Sequence, residues 1–418
     1  MKRMLPFSLL IVLLVLENCS FTPTFHYADY SDLVFLSPSG DDPSRCHLPE
    51  HYVPDTNHLD HLPVKHIRVN VHFMNSADSS ANFTQPEADS VARWIIHYAN
   101  VGLKRNGKMF LPLGNDTPVL PLRYRYRLTG RPGVANDTGV YCHFDDSLYY
   151  YVHKGPDKNL YDRRVIRRYG VQLDTVLNIF LMPNRPEGGA PPKPTMPVGV
   201  ALGKAIKIGG IGPAPHPHWD YKGVINHEVG HIYGLRHSWR TRDGCDDTPP
   251  NPNCWNFTHD GSECDSLVSN NLMDYNARQE AITPCQIGTV QSQMARLTSR
   301  GRRYLAPRWC SLNPEKTIRI RDSTVWNGMR DLEGELVIEA GGYLRLRCRV
   351  SLPREARIIV AGGGTLVLDG CRLHNACGDQ WDGILLQQTA SKRGRLLVRQ
   401  KPVIEHALHP VTWPATVP

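Results

Sequence analysis

The pattern of apolar and polar residues predicts strands and a helix in the first half of the chain. Residues 67–73 alternate apolar and polar side chains, which is typical of a half-buried strand. Residues 84–101 predict a helix, because a T-x-x-E capping box precedes a stripe of apolar side chains at helical spacing. Strand-like runs follow at 124–128 and at 174–182, and the second is the most apolar of these runs. A sheet with a backing helix is therefore expected.

A long segment rich in proline separates these elements from the next helix. Residues 183–219 contain nine prolines, and within them 198–202 and 205–211 have the apolar content of short strands. Loops of this length inside a compact domain are usually functional or disordered. Two interpretations stay open, which are a rim that pairs with an extended substrate and a plain surface excursion.

The chain returns to helical spacing at 224–233. Ile225 and Val229 lie four residues apart on the face that packs into the core. His227 and His231, also four residues apart, project from roughly the opposite face. One side of this helix is therefore suited to packing, and the other presents two imidazoles to one point.

After a further helix that starts at 283–286, the pattern changes from about residue 317 to short strands separated by glycines. Residues 336–346 and 358–368 match at an offset of 22 residues, and 381–386 begins like another repeat. Periods of about 20 residues with apolar alternation favour a β-solenoid, although a plain β-sandwich would also fit. No polar cap is evident before residue 418, so the solenoid is expected to be truncated or to depend on packing against the preceding domain.

The length of 418 residues indicates two domains, since single cores seldom exceed about 250–300 residues. The expected class is α+β, with a first domain at 63–312 and a β-rich module at 317–418. The formal charge of +8 is spread along the chain, and no stacked-aromatic or helix-turn-helix pattern accompanies it. The charge therefore indicates a solvated basic surface and argues against nucleic-acid binding.

The N-terminus has the pattern of an export signal. A basic start precedes a short apolar core at residues 9–16, so residues 1–19 are predicted to be a signal peptide rather than a spanning helix. Cys19 ends a run that resembles a loose bacterial lipobox, which leaves an N-terminal lipid anchor at the cell surface as the alternative to free secretion. Residues 20–62, with many Pro, His and Asp, are predicted to be an irregular leader or pro-segment. No later stretch is apolar enough to span a membrane.

The 11 cysteines of an exported chain favour disulfides over free thiols. Cys46 lies in the predicted leader and has two interpretations. As a latency ligand, its thiolate would occupy the fourth position of a zinc site before processing. Alternatively, it forms a disulfide with a cysteine such as Cys142.

The residues from His227 to His237 read H-E-V-G-H-I-Y-G-L-R-H and form a candidate zinc site. Gly234 can adopt the left-handed conformation that ends a helix, which lets His237 turn back toward the two helical histidines. Three neutral histidines leave one tetrahedral position for water, as in catalytic zinc sites. Zinc lowers the pKa of that water to about 7, and Glu228 is placed to act as the general base in hydrolysis of an acyl bond, with a peptide as the expected substrate.

The spacing of this motif and the residues after it resemble one protease family. The second glycine and the third histidine match the metzincin form of the motif, and N-N-L-M-D-Y at 270–275 supplies its Met-turn. The run D-G-C-D-D-T-P at 243–249 and T-P-C-Q at 283–286 resemble the pappalysin family of metzincin endopeptidases, in particular its secreted bacterial members. The resemblance covers about residues 67–300.

The resemblance implies a metzincin-like zinc protease domain with two lobes, a twisted sheet, a backing helix and an active-site helix. It implies three zinc ligands: His227, His231 and His237. Glu228 would be the general base, Tyr275 would help to stabilise the tetrahedral intermediate, and Met273 would pack beneath the metal. Of the three pairings that four cysteines allow, it implies the following two disulfides: Cys245–Cys264 and Cys254–Cys285.

Calcium binding and the overall function leave alternatives open. Members of the family often bind calcium in this region, and Asp246, Asp247 and Thr248 offer the oxygen ligands that calcium prefers. An acidic loop of this kind can also simply be solvated. The predicted function is a secreted zinc endopeptidase that acts on proteins or peptides. The alternative is a surface-binding or adhesive protein in which the β-rich module carries the function.

Overall fold

The structure, a computed structural model, describes six stretches of the chain: 22–37, 46–77, 82–186, 194–212, 217–239 and 243–413. The predicted signal peptide and Cys19 lie outside these residues. The described residues form a mixed α/β part around one seven-stranded sheet, and a β-rich C-terminal part with three sheets. Within these six stretches, no helix combines the length and the apolar content needed to cross a membrane.

The α/β part contains the expected sheet and a few helices. Its strands are numbered after two strands near the N-terminus, β1 (Thr24–Tyr27) and β2 (Leu33–Phe35). They are β3 (Lys65–Asn75), β4 (Tyr124–Leu128), β5 (Val140–Phe144), β6 (Leu177–Met182), β7 (Val198–Ala201), β8 (Ala205–Gly209) and β9 (Leu305–Ala306). The helices are α1 (Gln85–Lys104), α2 (Arg164–Tyr169), α3 (Tyr221–Ile232), α4 (Pro284–Ala295) and α5 (Arg300–Arg303).

The sheet of the α/β part is mixed, with strand order β4-β3-β6-β8-β7. The central strand β3 runs parallel to β4, β5 and β6, and the short β9 joins it antiparallel. The sequence predicts that 67–73 is half-buried, but the structure buries nearly the whole strand, because helices cover one face and a second apolar cluster around Phe180 covers the other. At the far edge, β7 is antiparallel to β8. Both of these strands come from the proline-rich segment.

Two helices pack on the same face of this sheet. Helix α1 begins with the predicted capping box, formed by Thr84 and Glu87. The buried Asn226 of α3 donates to the Ala99 carbonyl of α1 at 3.1 Å and accepts from the Tyr126 hydroxyl of β4 at 2.9 Å. Burying an amide in this way is favourable only because its hydrogen bonds are made. Asn226 therefore fixes α3 against both α1 and the sheet.

The C-terminal part consists of short strands in three ladders. The strands are β10 (Ile318–Ile320), β11 (Ser323–Trp326), β12 (Arg330–Asp331), β13 (Leu336–Ile338), β14 (Tyr343–Leu346), β15 (Arg349–Ser351), β16 (Arg357–Val360), β17 (Thr365–Asp369), β18 (Arg372–His374), β19 (Trp381–Gln388), β20 (Arg395–Gln400), β21 (Val403–Ile404) and β22 (Ala407–His409). Every third strand pairs in parallel, so β13 pairs with β16 and β14 with β17. In both pairs the partners are 22 residues apart, as Leu336 and Ile358 illustrate, which matches the offset of the sequence repeat.

The N-terminal segment belongs to the C-terminal sheets. The sequence predicts an irregular leader over 20–62, but β1 pairs antiparallel with β19 and β2 pairs parallel with β20. Cys46 forms a disulfide with Cys348, with Cα atoms 5.3 Å apart. The sulfur of Cys46 is therefore engaged in this structure and cannot serve as a latency ligand. The disulfide interpretation is confirmed, but the partner is Cys348 rather than Cys142, which is a free, half-buried thiol. The reason is that β1 and β2 carry the segment toward the β-rich part.

A buried ion cluster joins the two parts of the molecule. Asp331 of β12 forms ion pairs with Lys65 Nζ of β3 and with Arg349 Nη2 of β15, each over 2.7 Å, and all three side chains are at most 5% exposed. Burial opposes ionisation of Asp331, but the charges of Arg349 and Lys65 outweigh it and hold the pKa of Asp331 well below its usual range. A second disulfide, Cys310–Cys377, also crosses between the parts. The β-rich part is thus held to the sheet by covalent and ionic links.

Candidate active site

Helix α3 carries the first two histidines of the motif. It begins at Tyr221, three residues before the predicted start, and its inner residues Ile225 and Val229 are buried as expected. It ends as the sequence predicts, because Gly234 has a φ of +88° and the Leu235 N–H donates to the Gly230 carbonyl at 3.0 Å. This left-handed turn reverses the chain immediately after the helix.

The third histidine comes back to the other two. Nε2 of His231 lies 3.1 Å from Nε2 of His227 and 3.0 Å from Nε2 of His237, and the remaining separation is 3.3 Å. Nitrogens bound to one zinc ion at about 2.0–2.1 Å in tetrahedral geometry would lie about 3.3 Å apart. The three nitrogens are therefore spaced as ligands of a single ion, and the donor set fits zinc.

Backbone carbonyls fix the Nδ1 atoms of the two histidines on α3, His227 and His231. Nδ1–H of His227 donates to the Leu272 carbonyl, and Nδ1–H of His231 donates to the Leu235 carbonyl, each over 2.8 Å. A proton on Nδ1 leaves the lone pair on Nε2, the nitrogen that faces the common point. Burial, followed by the neighbouring His231, lowers the pKa of His227 to about 3, and burial also lowers the pKa of His231. Both rings are neutral near pH 7, as metal ligation requires.

Glu228 lies next to His227 on α3, and only 5% of the residue is exposed. Burial raises the pKa of its carboxyl to about 8, against the effect of a hydrogen bond from the Ala201 backbone. A cation at the histidines would oppose this rise. Strand β7 lies directly against the carboxylate, because a Cβ added to Gly199 would be 2.8 Å from Glu228 Oε1. A residue without a side chain at position 199 is what allows this close approach.

Met273 lies against α3 on the buried side. It is completely buried, and a Cβ added to Gly230 would be 2.6 Å from its Sδ atom. Asn271 holds the turn: its Oδ1 accepts from the Met273 N–H at 2.8 Å, and its Nδ2 donates to Gln286 Oε1 at 2.9 Å. Gln286 belongs to the capping box that begins α4 with Thr283. The turn is therefore anchored to α3 on one side and to α4 on the other.

Aromatic rings surround the third histidine. The ring centroid of Tyr275 is 4.9 Å from that of His237 and 5.8 Å from that of His227, and Tyr275 is 48% exposed. Trp239, which the sequence does not single out, stacks on His237 with centroids 4.0 Å apart and an interplanar angle of 17°. It also lies 4.4 Å from Tyr275. These contacts restrict the orientation of the His237 ring. The sequence predicts the turn before His237 but not the contacts that orient its ring.

Two polar residues that the sequence analysis does not identify connect the third histidine to the methionine turn. Ser238, directly after His237, donates its hydroxyl to Asp274, directly after Met273. Asp274 is 1% exposed, and its other oxygen accepts from Asn251 Nδ2 at 3.0 Å. Their adjacency to two motif residues is the signal that could have found them. The contact keeps His237 and the turn in a fixed relation.

Two disulfides lie between the third histidine and α4, and they correct the sequence-based pairing. The structure joins Cys245 to Cys285 and Cys254 to Cys264. The pairing implied by the family resemblance, Cys245 with Cys264 and Cys254 with Cys285, is therefore wrong for this structure. The reason is local: Asp247 accepts from the Cys285 N–H at 3.0 Å, which places the start of α4 beside Cys245. Cys254 and Cys264, ten residues apart, then close a short loop of their own.

The predicted calcium ligands lie in the same loop. Besides its bond from Cys285, Asp247 accepts from the Thr283 hydroxyl at 2.7 Å, so both of its oxygens cap α4. Thr248 donates its hydroxyl to Asp243 at 2.7 Å, and Asp246 is exposed. Calcium binding by Asp246, Asp247 and Thr248 stays a prediction, and the ion would have to compete with these hydrogen bonds.

Comparisons with solved structures find distant likenesses. No protein-family model and no curated protein matches the chain. Among solved structures, it is similar to mature mirolysin of Tannerella forsythia in complex with a cleaved peptide, at 19% identity and a TM-score of 0.38, over 57% of this chain and 94% of that chain. It is also similar to mirolysin in complex with compound 9, at 17% identity and a TM-score of 0.39, over 58% of this chain and 96% of that chain. Likenesses this distant assign neither an activity nor a substrate.

Proposed function

We propose that the protein is a zinc-dependent metalloendopeptidase of the metzincin type with a pappalysin-like active site. The observation that carries this proposal is the convergence of three Nε2 atoms, 3.0 to 3.3 Å apart, beside a buried carboxylate. The zinc ligands are His227, His231 and His237. Met273, packed against α3, would hold the helix in a fixed position relative to the ion.

The chemistry follows from the groups around this point. Zinc, when bound, supplies Lewis acidity that polarises a peptide carbonyl and makes water acidic enough to lose a proton near neutral pH. Glu228 takes that proton and delivers it to the leaving amine. Tyr275, half exposed beside His237, donates its hydroxyl to the oxygen that gains charge as the carbonyl is attacked.

The edge strand β7 is proposed to bind the substrate backbone. Among the described residues, β7 pairs only with β8, which leaves its outer edge for one more strand. Gly199 brings this edge against Glu228. A peptide that extends the sheet along β7 would therefore pass its scissile bond in front of the carboxylate. This is the rim interpretation of the proline-rich segment.

The β-rich part is proposed to be a β-solenoid that supports the protease part. Its support is the parallel pairing of every third strand, at an offset of 22 residues in two of the ladders. An adhesive protein in which this part carries the function would leave no role for a buried Glu228 beside three converging histidines. The four disulfides among the described residues fit a secreted or cell-surface location.

Metal analysis together with peptide cleavage tests the proposal. The full-length protein should contain one zinc ion per chain and cleave a quenched fluorescent peptide library. Glu228→Ala should keep its zinc and lose at least about 100-fold in kcat/KM, since a general base contributes 10²–10⁴-fold. Glu315→Ala, which removes an exposed carboxylate just before β10, is the matched control. Absence of stoichiometric zinc, or unchanged cleavage by Glu228→Ala, would reject the proposal.

A further inference from the structure

The most exposed tryptophans of the molecule are grouped on one surface. Of the eight tryptophans, three are about half exposed: Trp94 at 49%, Trp219 at 53% and Trp255 at 56%. Trp219 and Trp255 line the same cavity of about 450 Å³. Tyr98 of α1 lies between the third tryptophan, Trp94, and Trp219: its ring centroid is 5.9 Å from that of Trp94 and 6.1 Å from that of Trp219. These four residues are called the aromatic strip.

The cavity at one end of the aromatic strip reaches the candidate active site. Gln279 lines the cavity and places its side-chain amide nitrogen 3.1 Å from Nδ1 of His227. Val224, also in its lining, precedes Glu228 by one helical turn and lies on the same face of α3. A Cβ added to Gly199 would be 2.7 Å from Val224 and 2.8 Å from Glu228 Oε1, so both residues border the same stretch of β7. A chain that passes Glu228 along α3 therefore enters the cavity.

The lining of the cavity carries no net formal charge and exposes apolar side chains. Its charged residues are two acids and two bases: Asp220, Glu280, Lys222 and Arg278. Lys222 Nζ pairs with Glu280 at 3.7 Å, and the Arg278 guanidinium lies 5.9 Å from the centre of the Phe110 ring. Met196, 56% exposed, adds a flexible apolar side chain to the lining. The net formal charge is zero, and exposed tryptophan and methionine are typical of surfaces that bind other molecules.

We infer that the aromatic strip is an extended binding site for the substrate polypeptide, which places apolar or aromatic side chains there, from the cavity beside Glu228 outward to Trp94. The spacing supports a peptide, because neighbouring rings are about 6 Å apart and alternate side chains of an extended chain are about 6.6 Å apart. The inference rests on the proposed function, because the ligand is taken to be the substrate on the ground that the strip leads to Glu228. It predicts a substrate preference that residues of the metal site do not determine.

Binding measured without cleavage tests this inference. The full-length Glu228→Ala protein is titrated into two fluorescein-labelled decapeptides, one with Phe and one with Ser at alternate positions, and anisotropy gives the Kd of each. The Phe peptide should bind more tightly. Trp94→Ala and Trp219→Ala should each weaken its binding by roughly three- to tenfold, the range expected when one aromatic contact is removed. Phe144→Ala removes a ring that is 54% exposed at the end of β5 and serves as the control, with no change in Kd.

Several outcomes would overturn the inference. Equal Kd values for the Phe and Ser peptides would do so, as would a Phe144→Ala variant that weakens binding as much as the tryptophan variants. Binding of a cello-oligosaccharide to the aromatic strip, together with no measurable binding of either peptide, would identify a sugar-binding surface instead. The proposed function fails separately, because absence of zinc from the purified protein leaves the Kd comparison intact: anisotropy reports binding of the peptide and not its cleavage. Circular dichroism melting of each variant verifies that its fold is retained.

Discussion

Replacing Gly199 with alanine should damage catalysis while leaving the metal ligands in place. Gly199 lies in β7 opposite Ile208 and has no positive φ, so the backbone itself accepts alanine. The added methyl carbon would lie 2.7 Å from Glu228 Cγ, 2.8 Å from its Oε1 and 2.7 Å from Val224 Cγ2. Non-bonded carbon atoms need about 3.5 Å. The carboxylate or the strand therefore has to move by about 1 Å.

The size of the effect follows from this displacement. A shift of about 1 Å in a catalytic group can cost about 100-fold in rate, which corresponds to about 2.7 kcal/mol in the activation free energy. If β7 moves instead of Glu228, the proposed substrate-binding edge retreats from the carboxylate and kcat/KM falls as well. His227 and His231 keep their hydrogen bonds to the Leu272 and Leu235 carbonyls in either case. Zinc content should therefore stay at one ion per chain.

The assay compares kcat/KM on a quenched fluorescent peptide with zinc content and Tm. Gly107→Ala is the matched control, because an added Cβ there would meet its nearest atom, the Glu280 carbonyl oxygen, at an ordinary 3.5 Å. Unchanged kcat/KM in a zinc-loaded Gly199→Ala protein would refute the close contact between β7 and Glu228. Joint loss of zinc and activity would show that Gly199 supports the metal ligands rather than the base.

Three further predictions concern stability and metal binding. Asp331→Asn should lower the free energy of unfolding in urea by about 3–5 kcal/mol, because Lys65 and Arg349 would remain buried without their counter-charge. Since the folded pKa of Asp331 is depressed, this stabilisation should be complete above about pH 4 and decline as the pH falls below it, and a constant difference at low pH would contradict the reasoning. Cys46→Ser should cost about 2–4 kcal/mol in the same titration, because it removes the link to Cys348 across 302 residues, whereas a change below 1 kcal/mol would mean that β-strand pairing alone holds the segment. A chelator should lower Tm and abolish cleavage, with zinc restoring both, and an unaffected Tm would count against the metal site.

The parts of the site that depend on neighbouring residues could be predicted from the sequence. The turn at Gly234 and the capping box at Thr283 are local, because each is determined by hydrogen bonds within a few residues. The i, i+4 spacing likewise places His227 and His231 on one face of α3. The stacking of Trp239 on His237 could not be predicted from the sequence, because no spacing rule relates the side chains of two residues in an irregular turn.

Long-range pairings could not be predicted for a different reason. Cys46 and Cys348 meet only because strands near both ends of the chain pair, and their separation of 302 residues leaves no local pattern. The partner of Cys245 depends on where α4 begins, and that is determined by hydrogen bonds from the helix start to Asp247. In both cases the decisive contact lies outside the windows in which periodicity and turn signals operate.

The N-terminal segment covers two strand edges of the β-rich part. An unpaired sheet edge is a template for association with other chains, and β1 and β2 cover the edges of β19 and β20. Tyr27 reinforces this contact, because its hydroxyl donates to Asp382 at 2.8 Å and its ring stacks on His409 with centroids 3.8 Å apart. Removing residues 22–37 as a leader would expose those edges. The contacts therefore favour a segment that stays with the folded protein.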